Sequence, residues 1–280
     1  MHKRRYADLN FGQIHYREAG TGLPVLLLHQ SPRTSEEHSE LIDRLSSNFR
    51  VIAPDNPGNG MSDPLGGPTP TMHDYARALI QFVDVLNLET VMIYGFHTGG
   101  SIATAAATGF PDRVTFAIAN GLSILRGEEK ADILEHYAPA FHAHDDGSHL
   151  MWLWQRFQKQ SQFFPWYKED ETHRINVPPY SAEKCQGMVE DILMAGNNYI
   201  APYKAAFAYD PVEEGALPAD NLLVMSADAD PLAACLEHLP ADQAKFTAPT
   251  HAECLDTTIA LLNERASRKH ARLITGTTQP

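Results

Sequence analysis

Val91-Met92-Ile93-Tyr94-Gly95-Phe96-His97-Thr98-Gly99-Gly100 is the stretch on which the reading of this chain turns. Its first four residues are apolar and predict a short buried strand, and the Ala-rich run from Ser101 to Thr108 predicts a helix. Gly95 and Gly99 stand two residues before and two after His97. Glycines at that spacing suit a strained turn from which a helix must pack closely on the strand it leaves. The apex side chain of such a turn is held out at the C-terminal edge of a sheet. Here that side chain is an imidazole.

Upstream, residues 5–19 predict a hairpin with Gln13 to Glu18 as its second strand, and Gly20-Thr21-Gly22 predicts a turn. Pro24 to Leu28 is a continuous apolar run, the mark of a strand buried on both faces. It ends in His29-Gln30-Ser31-Pro32, after which Ser35 is placed to cap a helix reaching about Ser47. A strand over Arg50 to Ala53 leads into the stretch from Asp55 to Asp63, and apolar residues at helical spacing run from Met72 to Leu88. Beyond the opening stretch, Val114 to Ala119 predicts another strand. Buried strands alternating with helices argue for an α/β fold, a mostly parallel sheet covered by helices on both faces. Such sheets bind ligands outside the C-terminal ends of their strands.

The alternation stops near Leu125. From 126 to 210 no buried-strand run occurs, Ala182 to Ala195 reads as a helix, and Trp152, Trp154 and Trp166 all fall here. This segment is expected to be a mainly helical cap over the sheet edge. Most of its aromatics should pack it onto the core, and two or three should line an apolar pocket. The core then comprises 1–125 and 211–280. The sheet resumes at Asn221 to Ser226, followed by Asp228-Ala229-Asp230-Pro231 and a helix to Leu239. A short strand at Ala244 to Thr247, His251 and a closing helix from about Leu255 to Lys269 complete it, with Thr275 to Pro280 expected to fray.

A net charge of −13 argues against nucleic acid and anionic membrane surfaces as partners. Cys185, Cys235 and Cys254 have no metal-type spacing and no even-numbered disulfide framework, so free thiols are expected. A polar stretch follows the basic N-terminus where a signal peptide needs an apolar run, and no segment approaches the roughly 20 apolar residues of a membrane span. A cytoplasmic location is the default.

In order along the chain, these motifs resemble the α/β-hydrolase superfamily. The resemblance covers His29-Gln30-Ser31-Pro32, Asp55 to Asp63, the Gly95 to Gly100 turn, Asp230 and His251. The turn has the layout of that superfamily's nucleophile elbow, G-x-S-x-G, with His97 where the nucleophile stands. The interruption at 126–210 is similar to the capped members, among them carbon–carbon bond hydrolases, epoxide hydrolases and haloalkane dehalogenases. The resemblance implies an acid at Asp230 and a catalytic histidine at His251, with Asp230 orienting the His251 ring as a general base. Asp228 is the rival acid, and Asn120 occupies another place where relatives put one. Backbone N–H groups of Thr98 and Ser31 are the implied oxyanion donors. Gln30 replaces the family's usual glycine, and His97 excludes the ordinary acyl-serine or alkyl-aspartate intermediate.

The expected site is therefore a His97, Asp230 and His251 set, with Gln30, Trp152, Trp154 and Trp166 around a small neutral or aromatic molecule, no cofactor and no metal. Hydrolysis is the leading expectation. Proton-transfer chemistry without hydrolysis, of lyase or cofactor-free dioxygenase type, and ligand binding without turnover are the alternatives. Oligomeric state is left open.

Overall fold

The computed structural model describes residues 2–67 and 69–275, the last eight by their backbone alone; residues 276–280, most of the tail expected to fray, lie outside them. Eight strands form one sheet: β1 (Lys3–Leu9), β2 (Gly12–Ala19), β3 (Leu23–Leu28), β4 (Phe49–Pro54), β5 (Val91–Phe96), β6 (Val114–Asn120), β7 (Leu222–Ala227) and β8 (Lys245–Ala248). Their spatial order is β1-β2-β4-β3-β5-β6-β7-β8. Only β2 runs against the rest, pairing antiparallel with β1 and β4. The fold class is as expected.

Two-residue periodicity explains why the apolar strand runs are continuous. Leu26 and Leu28 of β3, with Ile93 of β5 and Ala117 of β6, face one core. Val25 and Leu27, with Met92, Tyr94 and Ile118, face a second core on the other side. The first is covered by α2 (Met72–Val85) and α3 (Thr98–Gly109), the second by α1 (Ser39–Leu45) and α8 (His251–Thr275). A strand buried on both faces has no polar position to alternate with. At the start of α2, Thr71 and Asp74 form a reciprocal capping box.

Some expected boundaries move. The helix expected from Ser35 opens as a 3-10 turn, Ser35–His38, with Thr34 at its N-cap position but no side-chain cap hydrogen bond, before α1 begins. The helix expected before Leu239 is a 3-10 segment, Ala233–His238. The closing helix starts at His251, four residues earlier than expected. Between β6 and β7 the chain forms α4 (Gly127–His136), α5 (Ser148–Gln160), α6 (Ala182–Ala195) and α7 (Ile200–Ala208) and contributes no strand to the sheet. Its buried Leu153, Phe157 and Tyr199 join the core on the α2/α3 face.

Candidate active site

Parallel strands deliver their following loops to one edge of the sheet, and here those loops bound a cavity of about 610 Å³. Gln30 and Ser31 reach it after β3, Phe96 to Thr98 at the end of β5 and just beyond it, Asp230 after β7 and His251 after β8. Its other wall comes from the helical segment, with Tyr137, Phe164, Tyr180, Tyr203 and Phe207.

At the turn between β5 and α3, His97 has φ 47° and ψ −108°, a left-handed conformation that costs a non-glycine residue about 1–3 kcal/mol. The packing leaves little alternative. A Cβ at Gly95 would lie 2.0 Å from the Gly99 carbonyl oxygen, and one at Gly99 would lie 2.1 Å from the Leu28 carbonyl oxygen. Hydrogen bonds from the His97 N–H to the Asn120 carbonyl (2.8 Å) and from the Ser101 N–H to the His97 carbonyl (3.0 Å) clamp the apex.

The His97 ring turns to Asp230, Nε2 to Oδ2, at 2.7 Å. It passes over Gly121, where a Cβ would stand 2.3 Å from the ring Cδ2; Gly121 is itself at φ +74°. Asp230 is held by the Leu232 N–H on its other oxygen, at 2.8 Å. Burial alone would lower the His97 pKa, but the Asp230 carboxylate more than offsets it and holds the ring above the ordinary histidine value. Burial would likewise raise the Asp230 carboxyl, and the His97 ring overrides it and holds the carboxyl low. Because Nε2 engages the carboxylate, Nδ1 is the nitrogen left to exchange a proton.

The expected pairing of Asp230 with His251 is thus corrected: the carboxylate hydrogen-bonds to His97, and among the described residues no hydrogen bond joins it to His251. The apex imidazole is long enough to reach across to the loop after β7 and engage the carboxylate itself. The His251 ring packs instead, tilted, against Phe96, 4.7 Å between centroids, and Phe96 also contacts the His97 ring at 4.1 Å. Burial and the nearby His97 charge push the His251 pKa below its usual value.

The loop after β3 also departs from expectation. His29 is structural: its Nε2 accepts from the Asn56 N–H at 2.7 Å, so its Nδ1 donates to the Gln30 carbonyl at 2.7 Å. Gln30 lines the cavity, but its backbone N–H (3.1 Å) and side-chain amide (2.6 Å) both donate to Glu37. Glu37 is a cavity carboxylate that sequence reading did not single out. Nothing in the Glu36-Glu37 pair distinguishes a buried carboxylate from a solvated one. Burial would raise its pKa; Arg33, His38 and Gln30 together hold it below the usual value. The Ser31 N–H donates to the Thr98 hydroxyl at 3.3 Å, and the buried Ser31 hydroxyl has no hydrogen-bond partner among the described residues. The Thr98 N–H lies in the first turn of α3, where helix geometry leaves it without an intrahelical acceptor.

Trp152, Trp154 and Trp166 do not line the cavity, against expectation. Trp166 is buried, donates from Nε1 to the Tyr137 carbonyl at 2.9 Å and packs edge-on against Trp152. Tyrosine and phenylalanine supply the aromatic wall in their place. Asp228 is exposed and absent from the lining, and the Asn120 amide is spent on the Tyr94 hydroxyl at 3.1 Å. All three cysteines are free and buried. Among the described residues no group of three His, Cys, Asp or Glu side chains is arranged to hold a metal ion, and no helix is long and apolar enough to cross a membrane.

The profile of the alpha/beta hydrolase fold family matches residues 24–247. The chain is 38% identical over 110 residues to haloalkane dehalogenase 2 of Mycobacterium tuberculosis (strain ATCC 25618 / H37Rv), a match covering 39% of this chain and 38% of that protein. It therefore spans well under half the length of that curated relative. Among solved structures, a hydrolase from Pseudomonas aeruginosa PA01 superposes with a TM-score of 0.68 at 16% identity, covering 93% of this chain and 97% of that one. E-2-(acetamidomethylene)succinate hydrolase superposes with a TM-score of 0.67 at 19% identity, covering 94% and 98%. At such identities the superpositions speak to fold alone. With the profile spanning most of the sequence and the motifs standing at the ends of the expected strands, the chain belongs to the α/β-hydrolase-fold family.

Proposed function

We propose that this protein is an enzyme of hydrolase type in which His97, oriented by Asp230, activates water against a small molecule held between the sheet edge and the helical cap, residues 126–210. The observation that carries this reading is the 2.7 Å His97–Asp230 contact at the apex of the elbow, inside the cavity. The carboxylate fixes the ring tautomer and stabilises its protonated form, as general-base chemistry requires. For an ester, water attacks the acyl carbon as Nδ1 takes its proton, and the carbonyl π electrons move onto oxygen beside the Thr98 N–H. Collapse of that intermediate breaks the bond to the leaving alkoxide, which recovers the proton from His97. Water and ester become acid and alcohol, and no covalent enzyme intermediate forms. His251 carries no step here; it packs against Phe96.

A second reading is favoured by Glu37. A carboxylate held ionised on the β3 loop can accept a hydrogen bond from a substrate O–H and so orient it for proton abstraction by His97, a role that acyl transfer does not call for. An ester and epoxide panel run in ¹⁸O-labelled water separates the two, since only hydrolysis places the label in product. In either case His97→Ala is expected to lower kcat by about 10²–10⁴, and His251→Ala by less than about tenfold. Equal losses in the two variants, or full activity in His97→Ala, would remove His97 from the centre of the reaction.

A further inference from the structure

Arg156, near the end of α5, is only 1% exposed, and no carboxylate pairs with it among the described residues. Its Nε and Nη2 have no hydrogen-bond partner there. Its guanidinium sits in a cage of rings, with centroids at 5.0 Å for Phe157, 5.2 Å for Trp166 and 5.8 Å for Tyr199. Ring faces soften the desolvation of a cation but do not neutralise it. The Arg33 guanidinium, by contrast, has the Asp191 carboxylate at 2.6 Å.

One polar contact leads from Arg156 toward the cavity. Its Nη1 donates to Gln160 Oε1 at 3.3 Å, and Gln160 lines the cavity beside Tyr203. Arginine has only donors, so the Gln160 oxygen must face it and the Gln160 N–H₂ must face away. Tyr203 lines the cavity with Gln160, and its phenol can donate as well as accept. This corner of the cap therefore offers N–H and O–H groups to the cavity with an unpaired cation behind them.

We propose that the cap wall at Gln160 and Tyr203 is a carboxylate subsite, with Arg156 as the positioning residue that charges it, and that the substrate is an aryl or alkyl carboxylate. This rests on the catalytic reading only for the word substrate, and it departs from the neutral molecule expected from composition. An anion there accepts from Gln160 and Tyr203 and supplies the counter-charge that Arg156 lacks.

The test is calorimetry at pH 7.5 with 3-phenylpropanoate and its near-isosteric neutral amide, 3-phenylpropanamide, on wild type, His97→Ala, Arg156→Met and Arg156→Lys. Wild type and His97→Ala should bind the carboxylate at least about tenfold more tightly than the amide, the scale of a charge-assisted hydrogen bond. Arg156→Met should lose that preference through the carboxylate alone, and Arg156→Lys should recover part of it. A merely structural role for Arg156 would weaken both ligands together. Equal binding of the pair to wild type, a preference that survives in Arg156→Met, or binding of neither at millimolar concentration overturns the proposal. If Arg156→Met does not fold, Tyr203→Phe and Gln160→Leu replace it, each expected to cut the preference several-fold. Because the readout is binding, a failure of His97 as the base leaves this result standing, and the reverse holds too.

Discussion

The cavity has two walls that solve the problem of buried charge in opposite ways. On the sheet side every ionised group is matched within the wall: His97 by Asp230 at 2.7 Å and Glu37 by two donors from Gln30. On the cap side Arg156, behind the lining, is wrapped in aromatic rings and left without a counter-ion among the described residues, and the Lys184 ammonium in the lining sits over the Tyr180 ring. A wall that is complete by itself can be built ahead of the ligand and held rigid, which general-base chemistry needs. A wall short of one negative charge is completed by what it binds. On the function proposed above, the difference gives chemistry to the strand ends and selection to the helical segment.

Breaking the sheet-side match should have the largest effect. Asp230→Asn keeps a hydrogen-bonding side chain but removes the charge that raises the His97 pKa, and burial, the largest influence on that ring, then lowers it. A base must be neutral to act, so wild-type activity should rise with pH through a limb above the ordinary histidine value of 6.5. In Asp230→Asn that limb should move below 6.5, while the plateau kcat falls by about 10²–10⁴ for want of tautomer control. A limb that does not move would show that His97 is not the titrating base. The same shifts set a stability window. His97 is raised, so its contribution is complete below 6.5 and fades as pH climbs through its folded value. Asp230 is lowered, so its contribution is complete above 3.8 and fades as pH falls through its folded value. The ion pair should therefore stabilise the fold most between 3.8 and 6.5, measured as the wild-type excess in Tm over His97→Ala.

A smaller break leaves both partners in place. Gly121→Ala puts a Cβ 2.3 Å from the His97 ring, on a backbone at φ +74° that L-residues disfavour by about 1–2 kcal/mol. The ring must shift off Asp230. A displacement of about 1 Å in a positioned base costs on the order of a hundredfold, so kcat should drop by about that much while the protein stays folded. Unchanged kcat with a lowered Tm would mean that the ring orientation seen here is not the catalytic one.

The same contrast explains what could be read before the structure. Continuous runs such as Val25 to Leu28 and Val91 to Tyr94 announce strands buried on both faces, since local composition answers directly to local burial. The elbow, Asp230 and His251 were legible as positions because parallel connections bring successive strand ends to one edge. Their pairing was not, because which imidazole takes the carboxylate depends on the reach of the His97 side chain across Gly121, a contact between residues far apart in the chain. Glu37 was missed for the same reason: its burial follows from the fold of the β3 loop around it. In the helical segment, helical periodicity located Ala182–Ala195 to the residue, yet the three tryptophans expected to line the cavity do not. Size and apolarity say that a side chain will be covered, and do not say by what.

Trp166 offers the mildest test of that distinction. Its indole N–H holds the Tyr137 carbonyl and its ring faces Arg156, so it belongs to the packing of the cap behind the cavity wall. Trp166→Phe keeps an aromatic face for the cation and gives up one buried hydrogen bond, worth about 1 kcal/mol. Thermal unfolding should show that loss as a fall of a few degrees, while KM moves by less than about twofold. Should KM rise tenfold with Tm unchanged, the indole would be touching substrate after all, and selection in the cap would rest on tryptophan contacts and not on the charge of Arg156.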